Sequence, residues 1–281
     1  MPRVVVFGSL NHDITVTVPH MPASDETLTA LSLVEYCGGK GFNQAVAAVR
    51  LGAQTAMVGA VGADGAGVAL RAALAANHID ATHVVESAEH TGTAVITTDQ
   101  QDVTIVIVPG ANGTVDATDA EDAAELLASA DVVVLQGEVA AVASARAAQL
   151  ARQGGALVVY SPAPVSPDAS LVIAYATHIV ANQGEAAALN LKPSEQVIIT
   201  QGVHGALVGN RIIPSFAADV VDPTGAGDAF TAAFAVALAE GADVYEAARQ
   251  GCAAGSWAVR IGGAEPSMPT RENLRTVLAG G

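Results

Sequence analysis

Asp222-Pro-Thr-Gly-Ala-Gly-Asp-Ala-Phe230 and the small-residue run that continues from it to Ala239 decide how this chain is read. The apolar, β-branched residues before it, 212–221, read as a strand, and 229–239 consist of good helix formers. Gly225, Ala226 and Gly227 therefore fall where a helix begins. Backbone N–H groups in that position lack intrahelical acceptors and lie at the positive end of the helix dipole, so they suit a developing negative charge. Asp228 stands in the same first turn. A carboxylate beside an anion cradle is electrostatically unfavourable unless it has a task there, and accepting the proton of an attacking hydroxyl is one. The plainer alternative is a glycine-rich turn with an ordinary first-turn carboxylate, and the rest of the chain decides between the two.

The 281 residues suffice for one large α/β domain or two smaller ones. The net charge is −16, with Lys40 and Lys192 the only lysines and ten arginines dispersed singly. No basic stripe results, so neither nucleic acid nor an anionic membrane surface is expected as a partner. A nucleotide bound by so acidic a chain would be neutralised by backbone amides, helix N-termini and a divalent cation. Cys37 and Cys252 are far apart and offer neither a disulfide framework nor a paired metal motif, which suits a reducing cytoplasm. The apolar run 4–7 is too short for a signal-peptide core, and no later run reaches membrane-spanning length. The expectation is a soluble cytoplasmic protein whose partners are small molecules.

Short β-branched runs at 4–7, 56–61, 131–136, 157–160, 178–181, 197–200 and 206–208 alternate with alanine-rich helical stretches at 41–51, 66–76, 120–128, 140–152, 229–239 and 244–258. That rhythm predicts a mainly parallel sheet covered by helices on both faces. Residues 14–18, 28–36, 93–98 and 103–108 break it, because they read as strands without helices between them, the last two joined by Asp99-Gln-Gln-Asp102. They predict a small antiparallel sheet projecting from the main body, either a lid over the carboxyl ends of the central strands or an edge extension or dimer contact.

Gly8-Ser-Leu-Asn-His-Asp13 leaves the first strand with Asn11 and Asp13 on the same side of an extended segment, a spacing that suits paired sugar hydroxyls. Cys37-Gly-Gly-Lys-Gly-Phe-Asn-Gln44 opens a helix and sets Lys40 and Asn43 beside bare glycine backbone; it lacks the spacing of a Walker A motif. Gly62-Ala-Asp-Gly-Ala-Gly67 is not a dinucleotide fingerprint and reads as a helix start capped by Asp64. Asn182-Gln-Gly-Glu185 follows a strand and starts a helix, so Asn182 is open to a capping role as well as a ligand role. Ile198-Ile-Thr-Gln-Gly-Val-His-Gly205 ends a strand with a hydroxyl and two glycines, where a backbone can pass close to a nucleotide. The seven histidines show no metal-ligand spacing.

In order and spacing, GSLNHD, GGKGFNQAVAA, ANQGE, ITQG, DPTGAGDAF and GGAEPSMP resemble the motifs of the ribokinase family of carbohydrate kinases, the phosphofructokinase-B type, over nearly the whole chain. The resemblance implies a three-layer α/β/α sandwich with a projecting β lid, formed as one kinase domain over 1–281. It also implies ATP-dependent phosphorylation of a sugar hydroxymethyl group, D-ribose being typical. Asp228 would be the base and Gly225, Ala226 and Gly227 the anion hole. Asn11, Asp13, Gly39, Lys40, Asn43 and Glu138 match sugar-contacting positions, and Thr200, Gly202 and Gly205 the nucleotide side, where Cys252 stands near the adenine pocket. Asn182 and Glu185 match a motif for phosphate and water-held magnesium, and Asp222, Thr224 and Ser267 resemble a monovalent-cation loop, with potassium as the implied activator. Lid pairing into a homodimer is a further implication. The interval between Asn182 and Thr200 is shorter than in typical members, which bears on the nucleotide wall. The alternatives are a kinase for another pentose, a ketohexose derivative or a nucleoside, and, from a different class, a non-catalytic sugar-binding regulator.

Overall fold

Val4 and Val6 face one side of the first strand and Val5 and Phe7 the other, and all four are buried, so helices must cover both faces of the sheet they belong to. The computed structural model describes residues 1–99 and 102–280. Its strands are β1 (Arg3–Phe7), β2 (Asn11–Thr17), β3 (Ser32–Gly38), β4 (Gln54–Gly62), β5 (Asp80–Ser87), β6 (Gly92–Thr98), β7 (Val103–Val108), β8 (Val132–Gln136), β9 (Leu157–Ser161), β10 (His178–Asn182), β11 (Val197–Thr200), β12 (Ala206–Val208) and β13 (Arg211–Ile213). Its helices are α1 (Lys40–Arg50), α2 (Gly65–Ala76), α3 (Ala117–Asp122), α4 (Ala124–Ser129), α5 (Ala141–Gln153), α6 (Ala169–Ile173), α7 (Gln183–Ala188), α8 (Ala226–Ala239), α9 (Val244–Ala258), α10 (Ala264–Ser267) and α11 (Arg271–Ala279).

The main sheet has nine strands in the order β13-β12-β11-β10-β9-β8-β1-β4-β5, and every pairing from β11 to β5 is parallel. Val4 and Val6 pack with α1, α2, α8, α9 and α11, whereas Val5 and Phe7 pack with α3 to α6. The result is the expected three-layer α/β/α sandwich. From β1 the chain runs outward to β4 and β5, then returns to β8 on the other side of β1, so the winding reverses there. Open α/β sheets hold ligands beyond the carboxyl ends of strands at such a reversal.

β3, β2, β6 and β7 form the second, four-stranded sheet. It is mixed rather than antiparallel throughout: β2 pairs parallel with β6, in register from Asn11↔Gly92 to Thr17↔Thr98. β2 follows β1 and β6 follows β5, so both strands leave from the carboxyl ends of parallel strands of the main sheet, which fixes that sense. β3 begins at Ser32, so 28–31 lie outside it, and the Gln-Gln pair between Asp99 and Asp102 lies outside the described residues.

Three further expectations are revised. The strand expected over 212–221 is only β13, because Pro214 has no N–H to offer a ladder. The chain beyond it is held instead by Ser256 Oγ, which accepts from the Phe216 amide (3.1 Å), and by the Val259 carbonyl, which accepts from Val221 and Asp222. The helix expected over 120–128 is two short helices, α3 and α4, meeting at Ala123. β5, an edge strand with alternating exposure, had no counterpart in the sequence reading.

Candidate active site

The carboxyl ends of β1 and β8 set the floor of the site. Gly8 follows β1, and a Cβ there would lie 1.7 Å from Gln136 Oε1, so the position admits no side chain while Gln136 is in place. Ser9 then turns over α1: its carbonyl accepts from the Phe42 amide (3.0 Å), its Oγ accepts from the Gly41 amide (3.2 Å), and the same hydroxyl donates to Glu138. Glu138 Oε2 also accepts from the Lys40 amide (3.0 Å), and the Asn43 amide donates to the Gly39 carbonyl (2.9 Å). The first turn of α1 is thus satisfied by protein, with Glu138 as the anion at its N-terminus. Gly39 has φ +90°, and a Cβ on it would meet the Asn11 amide nitrogen at 2.8 Å, so glycine is required both by conformation and by space.

Two consecutive residues of α1 reach across to α8. Asn43 Nδ2 donates to Asp228 Oδ2 (3.0 Å) and Gln44 Nε2 donates to Asp228 Oδ1 (2.9 Å). Gln44 Oε1 in turn accepts from Gln136 Nε2 (2.8 Å). Asn112, in the 3-10 turn Gly110–Thr114, clamps the other wall: its Oδ1 accepts from the Leu10 amide (2.9 Å), and its Nδ2 donates to the Leu10 carbonyl (3.1 Å) and to Asn11 Oδ1 (2.7 Å). That last bond turns the Asn11 amide so that its N–H₂ end is free to donate. Gln44, Gln136 and Asn112 were not foreseen as site residues. Only their nearness in sequence to Asn43, Glu138 and the end of the second sheet's last strand could have flagged them.

Asp13 lies on β2 two residues beyond Asn11, its carboxylate over Gly38, where a Cβ would come within 2.0 Å of Oδ2. Burial, with the nearby charges of Glu138 and Asp228 adding to it, pushes the Asp13 carboxyl up to about 7, although Lys40 and the Gly39 amide favour its ionised form. Lys40 is held above the ordinary lysine range, foremost by Asp228 and, against its own burial, by Glu138, Glu185 and Asp13. One ammonium therefore sits among carboxylates from four separate segments. Asp13 Oδ1 and Asn43 Oδ1 are buried without a hydrogen-bond partner. Unsatisfied buried acceptors are costly, so both are suited to donors from a polyol.

At the start of α8 the amide pattern differs in one position from expectation. The Ala226 amide donates to the Pro223 carbonyl (3.2 Å), whereas the amides of Gly225, Gly227 and Asp228 find no acceptor among the described residues. The amides open to an anion are therefore those of Gly225, Gly227 and Asp228. Gly225 has φ +80° and is packed against Met268 and Ala264, while a Cβ on Gly227 would meet nothing within 4 Å. Beside this turn opens a cavity of about 530 Å³, largely apolar, lined by Thr200, Gly202, Gly205, Phe216, Gly227, Phe230 and Cys252 among others. Its size and lining fit a planar heteroaromatic base with its phosphates directed to the cradle. Burial pushes the Cys252 thiol up to about 12, and the thiol donates to the Ile213 carbonyl (3.7 Å). Gly205 is demanded by the protein itself, since φ is +90° and a Cβ would lie 2.0 Å from the Ile213 carbonyl.

Asn182 and Glu185 form a reciprocal cap on α7: Asn182 Oδ1 accepts from the Glu185 amide (2.9 Å), and Glu185 Oε2 accepts from the Asn182 amide (2.8 Å). The capping alternative is thus realised. Glu185 still reaches the site electrostatically, its carboxyl raised mainly by burial and influenced by Lys40 and Asp228. Among the described residues no three His, Cys, Asp or Glu side chains gather as a metal site. A divalent cation here would be held by nucleotide phosphates and water, with Glu185 the nearest of the expected residues in function. Asp222 Oδ1 accepts from the Thr224 amide (2.9 Å) and Oδ2 from the Gly263 amide (2.8 Å), closing the loop before α8 onto the turn before α10. Although burial opposes it, the Thr224 hydroxyl together with these two amides holds the Asp222 carboxyl below its ordinary range. An ionised carboxylate with lone pairs to spare fits a cation. Ser267 is fully buried, and its hydroxyl donates to the Ala264 carbonyl (2.8 Å).

Comparison with protein-family models matches the pfkB family carbohydrate kinases over residues 1–271. The chain is 38% identical over 295 residues to the ribokinase of Bacillus subtilis (strain 168), covering 99% of this chain and 100% of that protein. Among solved structures it is similar to ribokinase from Thermotoga maritima, with a TM-score of 0.89, 29% identity and coverage of 99% of this chain and 100% of that one. Arabidopsis thaliana ribokinase, solved with ribose and ATP, aligns with a TM-score of 0.88 and 30% identity over 99% of this chain and 98% of that one. The family match over residues 1–271, the shared fold and the meeting of a buried carboxylate, open amides and a cavity in one place lead to the same conclusion: the chain belongs to the pfkB family of carbohydrate kinases.

Proposed function

We propose that this protein transfers the γ-phosphoryl group of ATP to the hydroxymethyl oxygen of D-ribose, giving D-ribose 5-phosphate and ADP. The observation that carries the reading is the meeting of the Asp228 carboxylate, the free amides of Gly225, Gly227 and Asp228, and the unpartnered acceptors Asp13 Oδ1 and Asn43 Oδ1 at one reversal of the sheet. The ribokinase names of the relatives support the sugar assignment.

In this reading Asn11, Asp13, Gly39, Asn43 and Glu138 hold the sugar, and Asp228 accepts the proton of its hydroxymethyl group as that oxygen attacks phosphorus. The amides at the start of α8 and the Lys40 ammonium stabilise the charge that develops on the transferring group. Thr200, Gly202, Gly205 and Cys252 border the base. Glu185 would hold magnesium through water, and the ion would supply charge neutralisation on the phosphates. Asp222, with Thr224 and Ser267, is the place for a potassium ion that orders the loop ahead of α8.

The second sheet is the lid, a part of one kinase domain, and shields the site from water so that ATP is not hydrolysed. Val103, Ile105, Val106, Ile107 and Val108 of its edge strand β7 are 37–60% exposed, on both faces. An edge of that kind is covered in soluble proteins, and a second copy of this chain through the lid is the occupant we assign. No helix among the described residues is long and apolar enough to cross a membrane. We place the protein in the cytoplasm, where its nucleotide is found and its free Cys37 and Cys252 stay reduced.

The test is ADP release from magnesium ATP across ribose, 2-deoxyribose, fructose, fructose phosphates, adenosine and pseudouridine, with and without potassium. Selective turnover of ribose is expected. Activity on a nucleoside alone would overturn the sugar assignment and keep the transfer chemistry, and no turnover with any acceptor would favour a sugar-binding regulator.

A further inference from the structure

An ionised carboxylate only accepts hydrogen bonds, so the groups facing Asp228 must present donors. Gln44 does so with Nε2, which leaves its Oε1 pointing away, and that oxygen is met by Gln136 Nε2. Turning either amide over would set oxygen against oxygen or leave an N–H₂ facing an N–H₂. The direction of both amides is thus dictated from the carboxylate outward. Gln44 is 0%, Gln136 1% and Asp228 8% exposed, so water does not compete for these bonds.

The two ends of this chain are held differently. Gln136 is the last residue of β8, in register with Ser161 of β9, and lies against Gly8, whose missing side chain makes its place. Asp228 Oδ1 is therefore tied through two carboxamides to the centre of the sheet. Among the described residues Oδ2 meets one donor, Asn43 Nδ2 (3.0 Å), on a sugar-side residue; the outer oxygens at both ends, Asn43 Oδ1 and Gln136 Oε1, have no partner, but Gln136 is fixed in β8 whereas Asn43 faces the sugar side. One oxygen of Asp228 is anchored, and the other can exchange its amide for a hydroxyl.

Resting on the reading of Asp228 as the base, we propose that Gln44, oriented by Gln136, is a positioning residue that holds Oδ1 and reserves Oδ2 as the oxygen that takes the proton. As the sugar oxygen bonds to phosphorus, the bond from phosphorus to the departing ADP oxygen breaks, and the hydroxyl proton passes to Oδ2. Neither glutamine touches the reacting atoms. Their contribution is the aim of the carboxylate, and small errors of aim at a reacting centre are expensive.

The experiment measures kcat, KM for ribose, KM for magnesium ATP and Tm for Gln44→Met, Gln136→Met and the double variant, each with Asp228 intact and with Asp228→Asn. Methionine keeps the length of the side chain and removes its hydrogen bonds. With Asp228 intact, Gln44→Met should lower kcat by about 30- to 100-fold with both KM values within about threefold, and Gln136→Met by about tenfold. The double variant should be no slower than Gln44→Met, and with Asn at 228 neither change should alter the residual rate. A kcat for Gln44→Met within about twofold of the parent, losses that multiply in the double variant, or losses that persist in the Asn background would overturn the proposal. Asp228→Asn alone separates the two readings. If it turns over normally, the base assignment fails; if it is inactive while Gln44→Met is normal, only the role of the glutamines fails. Should Gln44→Met not fold, Gln136→Met, which leaves every contact of Asp228 in place, decides by the same kcat criterion.

Discussion

Asn43 Nδ2 lies 3.0 Å from Asp228 Oδ2, so a residue assigned to the substrate holds the residue assigned to its proton. In Asp228→Asn the bond to Gln44 survives through Oδ1, and the new amide can donate to Asn43 Oδ1, which has no other partner. The variant should therefore fold and bind ATP much as the parent does while kcat falls about 10³-fold. Steady-state kinetics beside a thermal melt and nucleotide titration checks this, and a kcat close to the parent's would remove Asp228 from the chemistry.

Gly225 and Gly227 should part company when each is changed to alanine. At 225 the methyl group would overlap Met268 (2.8 Å) and press on Ala264 (3.0 Å), on a backbone with φ +80°, so a loss of about 1–3 kcal/mol of stability is expected. At 227 the methyl group meets no protein atom within 4 Å, so Tm should hold while ATP use weakens at least tenfold. Melting curves and KM for ATP measured on both variants decide it; an inactive but equally stable Gly225→Ala would contradict the packing argument.

Asp13 gives the site a pH dependence. Its carboxyl, at about 7 in the folded chain against 3.8 unfolded, binds its proton more tightly when folded. Its contribution to stability is therefore full below about pH 4, falls as pH rises towards 7, and is flat above. Asp13→Asn should be more stable than the parent at pH 8, by a margin that shrinks on acidification, when followed by denaturant melts. A sugar hydroxyl donates best to the ionised form, so ribose affinity of the parent should rise through pH 7 with proton release. Calorimetry in buffers of different ionisation enthalpy measures that release, and proton uptake on binding would refute the assignment.

Asn112→Leu removes the clamp on Leu10 and Asn11 without changing the volume greatly. Both Leu10 backbone groups then lose partners in a buried place, at a cost of about 1–3 kcal/mol. With Asn11 free to rotate, KM for ribose should rise about tenfold while KM for ATP stays put. Equal effects on both substrates would show that Asn112 only supports the fold.

Val106→Lys on the edge strand β7 should leave the monomer folded and shift the protein from dimer to monomer in sedimentation or light scattering, because a charge cannot be buried unpaired between lids. A monomeric parent would refute the lid contact.

The main sheet was legible because its strands are short β-branched runs set between alanine-rich helices, and α9 begins and ends where the pattern placed it. The turn from Asp222 to Asp228 was legible because glycines and a carboxylate at a helix start have few physical uses. What escaped was cooperative. Gln44, Gln136 and Asn112 come from different elements, and an amide in a sequence carries no mark of the partner it will meet. The parallel pairing of β2 with β6 depends on where the main sheet delivers both strands, which no local pattern encodes. The short β13 could have been read from Pro214, whose effect on a ladder is local. That the Ala226 amide turns to the Pro223 carbonyl is a matter of one carbonyl's direction, which the sequence does not mark.

The most direct test of the central claim is the product itself. Purified protein is incubated with magnesium ATP and ribose, and the phosphorylated sugar is assigned by phosphorus–proton coupling in NMR, beside Asp228→Asn. The account predicts one new phosphate ester coupled to the two C5 protons of ribose, formed with equimolar ADP and about 10³-fold more slowly by the variant. Phosphate on another hydroxyl, ADP formed without a sugar ester, or the same ester formed at the same rate by Asp228→Asn would contradict it.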